Sequence, residues 1–431
     1  MNPTPNSVSS PVVLTPALIL LMAFTTGVAV ASNYYAQPLL HSISTYFALS
    51  YASAGILVTV AQLCYALGLV FLVPLGDLLE QRRLIVGMLL LSTAGLVLSG
   101  LAQNIWMLLL GTAIASFFSV VAQVIVPLGA AMASPHQRGQ VVGSIMSGLL
   151  MGILLARTAA GFLSELGSWR SIYWCAAAVM LLTTLVLYRR LPVRKQHAGL
   201  SYTQLLASIF RFFSTEKVFL WRSIMGGLSF ACFSALWTPL AFLLSQPPYG
   251  YSDLLIGLFG LAGVAGALAA NKAGKLVDQG KSSQTTTLGC VLLLLSWVPV
   301  YFGMYSVIAL IVGIVILDLC VQLVHVVNQN VIYQIKPEAR NRLNAGYMLS
   351  YFIGGALGSL SSAWMYQHQG WAGVCLLGAV LSSALLAVWL ITQRWHSLPK
   401  QQASTAASRK KHRVSVLESH IKYWPISCLA V

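Results

Sequence analysis

The chain has 431 residues, 58% hydrophobic and only 8% charged, whereas a soluble chain carries about a quarter charged residues. Its 25 Lys and Arg exceed its 9 Asp and Glu, for a net charge of +16, yet the basic residues fall between long apolar runs rather than within them. This pattern argues against a soluble enzyme and against a nucleic-acid partner, and points to a polytopic membrane protein with basic loops on one side.

Residues 1–16 carry no Lys or Arg, so no cleavable signal peptide is expected. Twelve apolar runs follow, near 16–40, 52–73, 84–102, 106–132, 140–163, 171–188, 219–245, 254–273, 285–303, 306–333, 345–366 and 371–392. Each has about the 20 residues that cross a hydrocarbon core. In lipid such runs must be helical, because every backbone group needs an internal partner. The expectation is an all-α membrane protein of twelve transmembrane helices.

An even number of spans puts both termini on one side. With that side cytoplasmic, Arg82, Arg83, Arg138, Arg189, Arg190, Arg194, Lys195, Arg211, Lys217, Arg222, Lys272, Lys275, Lys281, Lys336, Arg340, Arg342 and the tail's basic residues all lie inside. Only Arg170 lies outside and only Arg157 within a span, the sidedness expected of a bacterial inner membrane protein. The segment from about Arg189 to Lys217 divides the spans six and six. The chain thus reads as an N-terminal six-helix bundle (1–190), a cytoplasmic linker (191–217), a second six-helix bundle (218–393) and a basic, disordered tail (394–431).

The halves are related in sequence. Gly76-Asp77-Leu78-Leu79-Glu80-Gln81-Arg82-Arg83 closes the second span, and Gly274-Lys275-Leu276-Val277-Asp278-Gln279-Gly280-Lys281 closes the eighth, offset by 198. Pro135 to Arg138 and Pro337 to Arg340 are offset by 202, as are Trp169 and Trp371. Parallel six-span repeats are a transporter architecture, with the cargo site near the midplane between the repeats.

Few polar residues sit deep in the spans. Asp318, the only acid there, needs a partner, water or a proton. Gln322, His325 and Gln329 share its helical face, with Asn328 adjacent, so substrate or proton binding is one reading and an interhelical hydrogen-bond network the other. Arg157 stays charged; its fork suits a carboxylate or phosphate, for binding an anionic substrate or pairing with Asp318 in one state, unless it snorkels or locks a neighbouring helix. His325, whose unperturbed pKa is about 6.5, is a proton relay or a neutral hydrogen-bonded ring. Asn33, Tyr34, Tyr35 and Gln37, with a bend permitted by Pro38, join Gln62, Gln123, Tyr347 and Tyr351 as candidate cavity lining. The seven cysteines are scattered singly, and no His, Cys or acid cluster has metal-ligand spacing, so no metal or cofactor is expected.

The loop motif at Gly76–Arg83, the small-residue fifth span (Gly143, Gly152, Ala156, Arg157, Ala160, Gly161), Asn33–Pro38 and the Asp318–Gln329 stripe together resemble the major facilitator superfamily over about residues 14–395. The likeness is to bacterial members near the drug and sugar efflux branches. Two features depart from the antiporter pattern: its Pro is Arg157 here, and Leu110–Ser116 in span four holds no Arg. The resemblance implies an inward gate from Gly76, Asp77, Glu80, Arg82 and Arg83, with a second copy from Gly274, Asp278 and Lys281. It implies that spans five and eight meet across the halves through Gly143, Gly152, Ala156, Gly161, Gly257, Gly260, Gly263 and Gly266. It also implies a secondary transporter, not an enzyme. Such a protein moves a small organic molecule by alternating access as a monomer, coupled to protons or another ion, with efflux preferred. Uptake or exchange of an organic anion held by Arg157 is the alternative. A non-transporting sensor or a membrane-embedded enzyme is the reading from outside that class.

Overall fold

The structure, a computed structural model, describes residues 14–134, 136–193, 201–263, 279, 281–336 and 339–396. Apolar helices long enough to cross a bilayer run Pro16–Tyr46, Tyr51–Asp77, Gln81–Gly100, Ile105–Met132, Arg138–Glu165, Ser171–Arg190, Lys217–Ser245, Ser282–Phe302, Val307–Ile335 and Arg340–Gln393. The last is two spans, divided at Gly370, whose φ of 61° lies where only glycine sits without strain. Asp253–Gly263 begins the eighth span, and the rest of that span lies outside the described residues, as does the tail from 397. Side-chain caps set several helix starts: Ser50 accepts from the Ser53 N–H, and Asn104 from the Met107 N–H.

Large apolar side chains face outward, among them Trp106, Ile308, Leu20 and Leu182. In water such a surface would aggregate; in lipid it is the solvated face. Inside, close approach needs small residues. A Cβ on Gly148 or Gly152 would collide with the backbone at Ala23 or Gly27 of the first span, which is small-residue helix packing.

The first and seventh spans are each broken near their ends away from the basic loops. The first stops at Ala31 and resumes at Ala36; the seventh stops at Trp237 and resumes at Leu240. Pro38 lies just past the first break and Pro239 within the second. Each ring clashes with the carbonyl four residues back and disfavours the α conformation before it.

Two expectations are corrected. Arg222 is not a loop residue: it lies in the helix Lys217–Trp237, 1% exposed. It is five residues past the helix start, about one and a half turns deep. The linker is not wholly loop: it contains the helix Tyr202–Thr215, opened by a Ser201–Gln204 capping box. That helix buries Leu205, Ile209 and Phe212, and its Tyr202 hydroxyl donates to the Phe71 carbonyl at 2.8 Å.

Contacts between the first six spans and the later ones gather at the ends away from the basic loops. Ser42 and Ser164 both donate to Asp253 Oδ2, at 2.6 and 2.7 Å. Thr158 donates to the Gly257 carbonyl at 3.1 Å, and the Ala52 N–H to Gln367 Oε1 at 3.0 Å. Tyr51 packs on Phe242, ring centroids 4.6 Å apart. That end of the molecule is closed.

Candidate transport site

The fifth span carries Arg157 to the seam between the halves. The residue is 2% exposed, and its Nε donates to Gln37 Oε1 at 2.7 Å. Three rings face it: Trp237 at 4.0 Å, Tyr34 at 5.0 Å and Phe233 at 5.5 Å, measured from the guanidinium carbon to each centroid. Trp237 belongs to the seventh span, where it is the last residue of the helix that ends just before Pro239. Its N–H donates to Asp318 Oδ1 at 3.0 Å. One indole therefore bonds the acid of the tenth span through its edge and the cation of the fifth through its face. Asp318 and Arg157 feel each other's charge without forming a direct ion pair. A cavity of about 10 Å³ lies beside this group, lined by Gln37, Arg157, Trp237, Leu240 and Ile256.

The other candidates divide. Tyr34 joins the Arg157 cluster, and Tyr35 is buried beside Tyr173. Asn33 donates to Ser119 Oγ at 2.9 Å within the first half. Gln62 donates to Ser234 Oγ at 3.0 Å across the seam. Gln123 lies beside the Tyr65 hydroxyl. His325 Nδ1 and the Tyr347 hydroxyl are 3.0 Å apart, and Tyr351 stacks on Phe230 with centroids 4.1 Å apart. Gln322 is half-buried, and Gln329 donates to Asn344 at 3.2 Å. Asn328 turns away from the seam: its Oδ1 accepts from Arg222 at 2.9 Å inside the second half. Asp318 thus meets the seam, His325 and Gln329 meet Tyr347 and Asn344 of the eleventh span, and the adjacent Asn328 faces Arg222 inside the second half.

At the basic ends, Glu80 pairs with Arg83 at 2.8 Å, Arg82 covers the Tyr188 ring at 4.3 Å, and the Gly76 carbonyl accepts from Gln81 at 3.3 Å. Asp77 lies within the electrostatic reach of Arg342 on the eleventh span. Gly274 and Asp278 lie outside the described residues, as does Gly266; Lys281 is exposed.

The small-residue assignments need correction. Gly143 is exposed, and a Cβ there would meet nothing within 4 Å among the described residues. Gly152 faces the first span of its own half rather than the eighth. Gly161, Gly257, Gly260 and Gly263 do lie across the seam: their added Cβ atoms would meet Asp253, Arg157, Arg157 and Leu154 in turn. Ala156 is buried. Sequence reasoning missed Trp237, Arg222 and the Ser42–Ser164–Asp253 latch. Pro38 and Pro239, offset by 201, were the available signal for the breaks that place Trp237.

Comparisons with known proteins agree with this architecture. The family model described as Major Facilitator Superfamily matches residues 22–303 and 273–430. An uncharacterized transporter, YgaY, from Escherichia coli is 58% identical, covering 91% of this chain and 98% of that protein. The Streptomyces coelicolor transporter designated SCO4007 is 32% identical, covering 86% of each chain. Among solved structures, a bacterial homologue of the human lysosomal transporter Spinster superposes with a TM-score of 0.69 at 15% identity, covering 90% of this chain and 98% of that one. With the fold, the repeats and these matches on one chain, the protein belongs to the major facilitator superfamily and is a membrane transporter of that type.

Proposed function

We propose that the chain is a proton-coupled secondary transporter that moves a small organic molecule by alternating access, with Asp318 as the proton site. The observation that carries the proposal is the Asp318–Trp237–Arg157 crossing. An acid and an indole from the second half meet a cation from the first at the buried seam. When the halves part, Arg157 leaves with the first half while Trp237 stays with Asp318. The carboxyl then meets a different field in each access state, so proton binding and conformation are linked. The resemblance to efflux branches favours outward movement of cargo against inward protons, in a bacterial inner membrane with both termini cytoplasmic. Asp77 with Arg342, and Glu80 with Arg83, serve the gate at the basic ends; Ser42, Ser164 and Asp253 latch the opposite ends.

A second reading, uptake or exchange of an organic anion, is supported by one observation: Arg157 Nη2 is buried without a hydrogen-bond partner.

The test is a proteoliposome assay with an internal pH dye and a panel of sugars, amphipathic cations and organic anions. Cargo-triggered proton movement is expected from wild type and not from Asp318→Asn. Proton movement that survives in the variant would remove Asp318 as the coupling site and direct attention to His325.

A further inference from the structure

We infer that Arg157 and Gln37 form an oxyanion subsite that takes the carboxylate of a small organic acid with a planar apolar body. The inference rests on the transporter reading above and names the class of its cargo.

Gln37 and Arg157 are each 2% exposed. The bond from Arg157 Nε to Gln37 Oε1 consumes the amide's acceptor. It leaves Arg157 Nη2 and Gln37 Nε2 as buried donors with no acceptor. Buried donors left unpaired are costly, and a charged one more so. Both residues line the same 10 Å³ cavity, which has room for about one water in this closed state. The cavity is walled by Gln37 and Arg157 from one half and by Trp237, Leu240 and Ile256 from the other. It therefore widens when the halves separate.

Charge selects the ligand. Of the buried charged side chains, Arg157 and Asp318 meet at the seam, whereas Arg222 is enclosed within the second half. Asp318 is held off Arg157 by the interposed indole. An arriving carboxylate offers two oxygens to the two unpaired donors and gives Arg157 a direct counter-ion; a neutral sugar supplies no counter-ion. The body of the ligand follows from the walls. Tyr34, Phe233 and Trp237 present ring faces around the guanidinium, and Leu240 and Ile256 add apolar surface. Planar apolar groups pack well on such a lining.

The test is equilibrium binding of radiolabelled benzoate to the purified full chain in lipid nanodiscs, with benzamide as the uncharged competitor of the same shape. Benzoate is expected to bind saturably, and benzamide at least about tenfold more weakly. Gln37→Glu places a carboxylate of the chain's own against Arg157. It is expected to weaken benzoate binding by at least about tenfold while raising the unfolding temperature, which separates occupation of the subsite from misfolding. Equal binding of benzamide, no binding of benzoate, or wild-type benzoate affinity in Gln37→Glu would each overturn the inference. The same preparation is assayed for flux with the panel described above. Flux of neutral or cationic compounds without benzoate binding removes the subsite and keeps the transporter reading. Benzoate binding with no flux of any panel compound removes the transporter reading and keeps the subsite.

Discussion

Arg157 and Arg222 are buried to almost the same degree, at 2% and 1% exposure, yet they occupy opposite kinds of site. Arg222 is enclosed within the second half. It donates to Asn328 Oδ1 at 2.9 Å and to Thr286 Oγ1 at 3.3 Å, and its guanidinium lies 5.0 Å from the Trp389 ring centroid. All these partners travel with it. Arg157 sits on the seam, bonds Gln37 of its own half, and rests on Trp237 of the other. Its surroundings must change whenever the halves move. Burial therefore does not separate a structural cation from a transport cation in this chain; the ownership of the partners does.

That contrast is sharpest in substitutions that remove each charge. Arg222→Ala is expected to cost about 3 kcal/mol of stability, because it strands the polar partners of a buried cation. Arg157→Gln is expected to keep the fold and to lower transport by on the order of a hundredfold, the upper range of coupling free energies. Thermal unfolding and flux, measured on both variants, would break the contrast if the two behaved alike.

Helix contacts at the seam give the next effect. Gly161→Val would drive a side chain into the Asp253 backbone. It is expected to hold the latch open and reduce flux by on the order of tenfold. Gly143→Val, whose side chain meets nothing among the described residues, is expected to leave flux unchanged. Accessibility of a reporter cysteine near Ser42 to a membrane-impermeant thiol reagent would report the latch directly.

Trp237→Phe keeps a ring for Arg157 and removes the N–H that Asp318 accepts. A hydrogen bond to a charged group is worth about 1.5–3 kcal/mol, so proton-driven flux is expected to fall by at least about tenfold, and further in Trp237→Leu, which also removes the ring. Ser42→Ala removes one of two donors to Asp253 Oδ2 and leaves Ser164. Its expected effect is the smallest, about 1 kcal/mol toward the open latch, read as a several-fold rise in the same labelling rate.

Charge and hydropathy made the spans, their approximate ends and the two-half repeat legible, because lipid leaves the backbone few choices. Arg157 and Asp318 were legible for the same reason: a charge inside an apolar run must have an answer somewhere. What answers them was not. Trp237 is one of 11 tryptophans, and its role depends on which face and edge two other helices present to it. Asp253 escaped notice because acids at helix starts are ordinary, and its two serine partners lie 211 and 89 residues away in sequence. Arg222 was misread because it follows Lys217 so closely that the pair resembles a basic loop. Gly143 matched a motif letter but faces outward, since a motif records residue type and not direction. Asn328 shares a helix with Asp318 but lies ten residues on, roughly 80° around the helix, and faces Arg222; spacing gave that offset but not the partner.

The most direct test of Asp318 as the coupling site compares two modes of transport in one variant. Asp318→Asn, reconstituted in proteoliposomes, would be assayed for cargo counterflow at equal pH and for accumulation driven by an imposed pH gradient. Counterflow is expected to persist and gradient-driven accumulation to vanish, since the neutral side chain keeps the indole contact but cannot exchange a proton. Accumulation that still follows the pH gradient would contradict Asp318 as the coupling site.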